Sequence, residues 1–160
     1  MITAAGGTGI PVRMDHMVED EVAALFKRVG REQRRLDVLA IVMTGQPATW
    51  KTFLDESPGD GRAFVESWIW LHIATAWHAA KLMVTRRSGL IVVLVEQDNV
   101  AYHGAFYFDI METLLKRLVF ALANDLGAKK TFLAQMIEAS GFTKVNWKVA
   151  RTSGPGGETA

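Results

Sequence analysis

The sequence predicts an α/β fold with a mostly parallel sheet, because strand-like and helix-like stretches alternate along it. The clearest stretch follows a Ser-Gly pair as an unbroken apolar run over residues 90–95. This run is too short for a membrane span and is typical of a buried parallel strand. A helical pattern follows, with apolar residues recurring every three or four positions from Phe108 to Leu126. The loop between the two lies at the carboxyl end of the strand, where open α/β sheets carry their chemistry.

Apolar patterns and turn residues also predict the strands, helix and loop of the N-terminal half of the chain. Residues 10–14 are a short strand candidate, and Asp15 is predicted to cap a helix that ends near residue 34. A second buried strand is predicted over residues 36–43. A loop rich in proline and glycine is predicted over residues 44–61, with one helical turn near its middle.

The remaining elements surround the central strand and helix. A long helix is predicted over residues 62–87, before the central strand. A short helix over 128–140 and a last strand over 142–150 follow. The length of 160 residues suits one domain. We therefore expect a single domain over residues 1–151 and a flexible polar tail over 152–160.

Composition excludes several classes of partner and site. Hydrophobic residues make up 49% of the chain, and 18 basic and 17 acidic residues leave a net charge of +1. This balance predicts neither a nucleic-acid-binding nor a membrane-binding surface. The absence of cysteine excludes disulfides, thiolate zinc sites and thiol nucleophiles. No signal peptide or transmembrane segment is evident, so we expect a cytoplasmic protein.

Five segments of the sequence together resemble one enzyme superfamily. They occur in the family's order: AAGGTGIPVRMDH, EDEVAALFKRVGREQRRLDVL, AAKLMVTRRSGLIV, LAND-L and KVNWKVA. On these the chain is similar to the short-chain dehydrogenases/reductases (SDRs), which are Rossmann-like oxidoreductases. The resemblance implies a Rossmann-like three-layer sandwich that lacks the first βαβ unit. The Gly-rich cofactor turn belongs to that unit, and Gly6, Gly7 and Gly9 do not replace it, because they precede a strand candidate rather than a helix.

The resemblance also assigns site residues, and here the sequence departs from the family. The family's active-site Ser, Tyr and Lys fall on Glu96, Phe108 and Glu112, and its helical Asn falls near Trp68. A phenylalanine has no proton to donate, and a glutamate reverses the charge that would activate a phenol. Only Asp15, at the position of the adenine-contacting Asp, is retained. We therefore expect no bound cofactor, and NAD(P) is implied by family resemblance alone.

Carboxylates around the predicted loop suggest an alternative chemistry. Glu96, His103 and Glu112 could form an acid–base group for a cofactor-independent isomerase, dehydratase or cyclase. The competing interpretation is that such residues are solvated and that Glu112 simply faces water. His72 and His78 are six positions apart, which does not match the spacing of a helical metal pair, so no metal site is predicted.

The long helix carries three tryptophans, Trp68, Trp70 and Trp77. Large aromatics are enriched at protein interfaces, although these could instead fill the space left by missing strands. In the family, this helix and the active-site helix form the dimer interface. The leading hypothesis is a pseudoenzyme subunit or oligomerising scaffold without dehydrogenase activity of its own. It would form a homodimer, or pair with an intact SDR, through residues 62–87 and 108–126. A third hypothesis is a fragment of a conventional SDR oxidoreductase.

Overall fold

Helices and strands alternate along the chain. The computed structural model describes residues 2–42, 51–95, 102, 104–127, 132–133 and 137–138. After a short 3₁₀ turn, the elements in chain order are α1 (Glu19–Glu32), β1 (Val38–Ile41), α2 (Pro58–Arg86), β2 (Leu90–Val95), α3 (Phe106–Gly127), β3 (Phe132–Leu133) and β4 (Ile137–Glu138). This order confirms the predicted α/β class.

β2 is the central strand of a parallel sheet. β1 pairs with it in a register that runs from Val38 opposite Leu90 to Ile41 opposite Val93. β3 pairs with the beginning of β2 and β4 with its end, both in parallel. The short helix predicted over residues 128–140 is therefore wrong, because two segments within it extend along β2 and form ladder hydrogen bonds there.

One face of the sheet is covered by all three helices. β1 and β2 send every second side chain toward this face, as the two-residue period of a strand requires. These side chains are apolar and pack against α1, α2 and α3 in three adjoining clusters. The sheet residues concerned are Leu39, Ile41, Ile91, Val93 and Val95.

The opposite face of the sheet is less covered within the described part of the chain. Val38 is 53% exposed and Val42 51% exposed. On β2 the alternate residues Leu90, Val92 and Leu94 are half-buried, and none of them belongs to the three clusters. The prediction of a buried strand over residues 36–43 is therefore wrong for this face of β1. The described residues form two layers of the Rossmann-like sandwich, a sheet and one layer of helices.

α2 begins at Pro58, four residues before the predicted start. The Ser57 hydroxyl accepts a hydrogen bond from the Asp60 N–H at 3.1 Å, which caps the helix. Pro58 occupies the first turn, where no N–H donor is needed. The helix ends at Arg86, and Arg87 closes it in the left-handed conformation with φ 54°. The long predicted helix is thus confirmed and extended by one turn.

The segment before α1 differs from its prediction. Residues 10–14 do not form a strand, because β1 is the end of the described sheet and hydrogen-bonds only to β2. Asp15 does not cap α1 either. Its carboxylate accepts the Met17 N–H at 2.8 Å, whereas the capping position of the helix is Val18, which makes no side-chain cap. Asp15 thus orders the approach to the helix rather than its first turn.

Several predictions fall partly or wholly outside the described residues. Residues 51–57 form the end of the predicted loop, and one turn closes there with the Asp55 N–H bonded to the Thr52 carbonyl at 3.1 Å. Residues 43–50, the strand predicted over 142–150 and the tail over 152–160 lie outside the described residues. The division at residue 151 therefore stays a prediction. None of the described helices is long and apolar enough to cross a membrane.

Candidate functional site

Phe108 and Glu112, which the family resemblance predicts at the positions of its Tyr and Lys, lie on one buried face of α3. Phe108 is 3% exposed and Glu112, one turn later, is 2% exposed. Their neighbours on this face are Met111 and Leu115, which pack on the carboxyl-terminal half of β2. α3 therefore positions both residues at the strand end where the family resemblance expects chemistry, but both face the protein interior.

Phe108 is part of an aromatic group that joins α2 to α3. Its ring meets the Trp68 indole edge to face, with 5.8 Å between the ring centroids. Trp68 also contacts Phe64, with 5.2 Å between centroids. Such pairs stabilise helix packing beyond the area they bury. The described cavity beside Phe108 has a volume of only about 10 Å³, which holds one water molecule at most.

Glu112 does not face water, so the solvated interpretation is wrong for this residue. A buried carboxylate needs hydrogen-bonding or charged partners inside the protein. Glu96 and His103, the other members of the predicted acid–base group, lie outside the described residues. Whether this group comes together therefore lies outside the described residues, and the acid–base hypothesis stays a prediction. The described residues also contain no cluster of His, Asp and Glu that could hold a metal ion.

His72 is a buried polar residue that the sequence reasoning missed. It is fully buried on α2, one turn after Trp68, and its Nδ1 donates a hydrogen bond to the Trp68 carbonyl at 2.8 Å. Burial is the main cause that lowers the pKa of His72 below its usual value of 6.5, and nearby His16 lowers it further. Its Nε2 has no hydrogen-bond partner within the described chain. The sequence signal for this burial is the four-residue step from Trp68, which puts His72 on the same side of the helix as the tryptophan.

Asp15, the retained cofactor candidate, lies at an open cleft between α1, α2 and the segment before α1. The cleft has a volume of about 990 Å³, and its lining includes His16, Trp68 and Leu71. Asp15 is exposed, and its own N–H donates to the Glu21 carboxylate at 2.7 Å. Because Trp68 borders both this cleft and Phe108, the two regions share one side chain. Asp15 is the described residue for which family resemblance implies a contact with NAD(P).

The parallel sheet with α1, α2 and α3 on one face matches part of the fold of the short-chain dehydrogenases/reductases, and solved structures confirm the resemblance. A metagenomic short-chain oxidoreductase (SDR) in complex with NADP superposes with a TM-score of 0.72 at 19% identity, over 85% of this chain and 61% of that one. A short-chain dehydrogenase from Streptomyces avermitilis gives 0.73 at 15% identity, over 86% of this chain and 51% of that one. At these identities the likeness shows the fold.

Sequence comparison adds a particular relative. The chain is similar to human dehydrogenase/reductase SDR family member 1, with 29% identity over 131 residues. The matched region is 76% of this chain and 41% of the human protein, so the chain spans about two fifths of the length of this relative. No family model matches the sequence.

Proposed function

We propose that this chain is an SDR-like association subunit without dehydrogenase activity of its own. The observation that carries the proposal is the burial of Phe108 against Trp68. The family resemblance predicts that Phe108 stands at the position of the proton donor. An SDR reduction needs a proton donor in contact with the substrate. A buried phenyl ring has no proton to supply. We propose the cytoplasm as its compartment, which subcellular fractionation tests.

The outer surfaces of α2 and α3 support the association. Trp70, Ile73 and Trp77 are exposed on α2 at three- and four-residue steps, so they share one side of the helix. Ile110 and Leu114 are exposed on α3 at a four-residue step. α2 and α3 pack against each other. Exposed aromatic and aliphatic side chains on neighbouring helices are typical of a protein interface. The proposed partner is a second copy of the chain or an intact SDR.

Size-exclusion chromatography with light scattering tests the association. The chain is analysed alone and after co-expression with an intact SDR from the same cell. Ile73→Asp and Leu114→Asp should each dissociate the assembly, because they place a charge in the proposed interface. Leu54→Asp is the matched control, since Leu54 is 88% exposed and lies outside both helices. A strictly monomeric chain that binds no intact SDR would sink the proposal.

A fluorescence titration with NADH and NADPH, followed by turnover assays on carbonyl substrates, tests the lack of redox activity. We expect no turnover by the wild-type chain, whether or not a nucleotide binds. Steady turnover by the chain alone would overturn this half of the proposal. It would leave the association untouched, since the two measurements are independent.

A second candidate, a fragment of a conventional SDR, is favoured by the exposed side of β1. Parallel sheets are normally covered on both faces, yet Val38 and Val42 are exposed. The test is the gene sequence before the codon for Met1. A reading frame that encodes a strand followed by a Gly-rich turn supports this candidate, and its absence removes it. Phe108 and Glu112 would be unchanged in either case.

A further inference from the structure

The cleft beside Asp15 has an apolar floor that no part of the proposed association uses. α2 contributes Trp68 and Leu71 to the cleft, and α1 contributes Leu25. The volume of about 990 Å³ is at the upper end of the range for sites that bind small organic molecules. An indole ring beside aliphatic side chains favours a flat apolar body, because contact between aromatic rings adds to the burial of apolar area.

Most charged groups at the rim of this cleft are already engaged. The Glu21 carboxylate accepts the Asp15 N–H at 2.7 Å, and the Asp15 carboxylate accepts the Met17 N–H at 2.8 Å. The Arg28 Nε donates to both oxygens of Glu32, at 3.0 and 3.1 Å. Both acidic groups and one of the basic groups therefore have partners within the chain.

Arg13 and His16 are the remaining polar cleft residues that can donate hydrogen bonds from ring or guanidinium nitrogens. Within the described residues, neither makes a hydrogen bond or an ion pair. They lie on the segment before α1, whereas Trp68 and Leu71 belong to α2. Arg13 is therefore a cleft cation without a bonded partner among the described residues, which suits an anionic group on the ligand.

We propose that this cleft binds an aromatic carboxylate. Its ring lies against Trp68 and Leu71, and its carboxylate accepts hydrogen bonds from Arg13. A guanidinium matches a carboxylate with two parallel hydrogen bonds, which fixes orientation as well as sign of charge. The proposal stands apart from the association subunit, because it uses different surfaces of α2 and needs no second chain.

Isothermal titration with 2-naphthoate tests the site, and 2-naphthalenemethanol is the neutral probe of similar size. We expect one 2-naphthoate to bind per chain and the neutral alcohol to bind about tenfold more weakly, since it loses a charge-assisted hydrogen bond. Arg13→Ala should weaken 2-naphthoate by about the same factor and leave the alcohol unchanged. Arg31→Ala is the matched control, because that arginine is exposed outside the cleft.

Ala24→Trp provides a second test that leaves the floor intact. Ala24 lines the cleft from the exposed side of α1, so an indole there should fill the cavity and block 2-naphthoate with little effect on the melting temperature. Equal binding of the two probes, or full binding by Ala24→Trp, overturns the proposal. Binding of NADPH but not of 2-naphthoate, lost in Ala24→Trp, also overturns it, because the cleft would then be a nucleotide site.

Discussion

Gly61 lies where the start of α2 meets the start of α3, and only a hydrogen fits between them. A Cβ at this position would overlap the ring of Tyr107. Gly61 is buried in the first turns of α2 and the Tyr107 ring is half-buried, so a Cβ at Gly61 would force the ring or the helix to shift. The contact anchors the beginning of α3 and with it the orientation of Phe108.

We expect Gly61→Ala to reduce the free energy of unfolding by about 1–3 kcal/mol, through overpacking against Tyr107. Gly59→Ala is the matched control in the same helix. Its Cβ would meet only the Ser57 hydroxyl, at 3.8 Å, so it should be neutral or stabilise by up to about 1 kcal/mol. Urea unfolding measures both. Equal effects of the two substitutions would contradict the close approach of Gly61 to the Tyr107 ring.

His72 makes stability depend on pH. Its folded-state pKa lies below the usual 6.5, so between these two pKa values the unfolded chain binds more protons than the folded one. The stabilisation is complete above about pH 6.5 and is lost as the pH falls toward the folded-state pKa. Protonation must also place a charge at a fully buried ring.

We expect His72→Leu to flatten the dependence of unfolding free energy on pH below about 6.5. The slope should decrease by at most about 1.4 kcal/mol per pH unit, the value for one proton. Urea unfolding at a series of pH values gives both slopes. The same slope in wild type and His72→Leu would show that His72 titrates alike in both states.

The two faces of β2 differ in burial, although both carry only apolar side chains. Val93 is fully buried among the helices, whereas its neighbour Val92 is half-buried on the other face. We expect Val93→Ala to destabilise the isolated chain by about 2 kcal/mol and Val92→Ala by less than about 1 kcal/mol. Thermal or urea unfolding of the two variants measures both losses of stability. Equal losses would mean that the second face is covered in solution.

The elements with the strongest patterns could be predicted from the sequence. Residues 90–95 form β2 within the predicted limits, because six consecutive apolar residues between turn signals leave few alternatives. α2 and α3 follow from apolar spacing at three and four residues. The strand at residues 10–14 failed because a strand needs a neighbour, and its local pattern does not say whether one is available.

The site was predictable only in part. Counting from family segments puts Phe108 and Glu112 on the active-site helix, and the structure has both on α3. Burial of Glu112 and contact between Phe108 and Trp68 depend on how α2 packs on α3, which no local pattern contains. The burial of His72 was missed for the same reason. A histidine on a helix carries no sequence signal for the face that it occupies unless its neighbours are read with it.

At the scale of the whole molecule, α2 connects every part of the core. Its 29 residues make it about 43 Å long at 1.5 Å per residue, about twice the length of β2. It contributes side chains to all three apolar clusters, with Trp68 in the first, Met83 in the second and Ala79 in the third. No other described helix does so.

This position of α2 has a consequence for how the chain opens. Because every cluster loses contacts when α2 detaches, its backbone amides should exchange with deuterium only through global unfolding. We expect residues 71–83 to show the slowest exchange in the chain, and α1, which touches a single cluster, to exchange through local opening. Hydrogen-exchange mass spectrometry on peptides from both helices measures this. Equal protection of α1 and α2 would mean that the described core opens as one cooperative unit, in which α1 does not open separately.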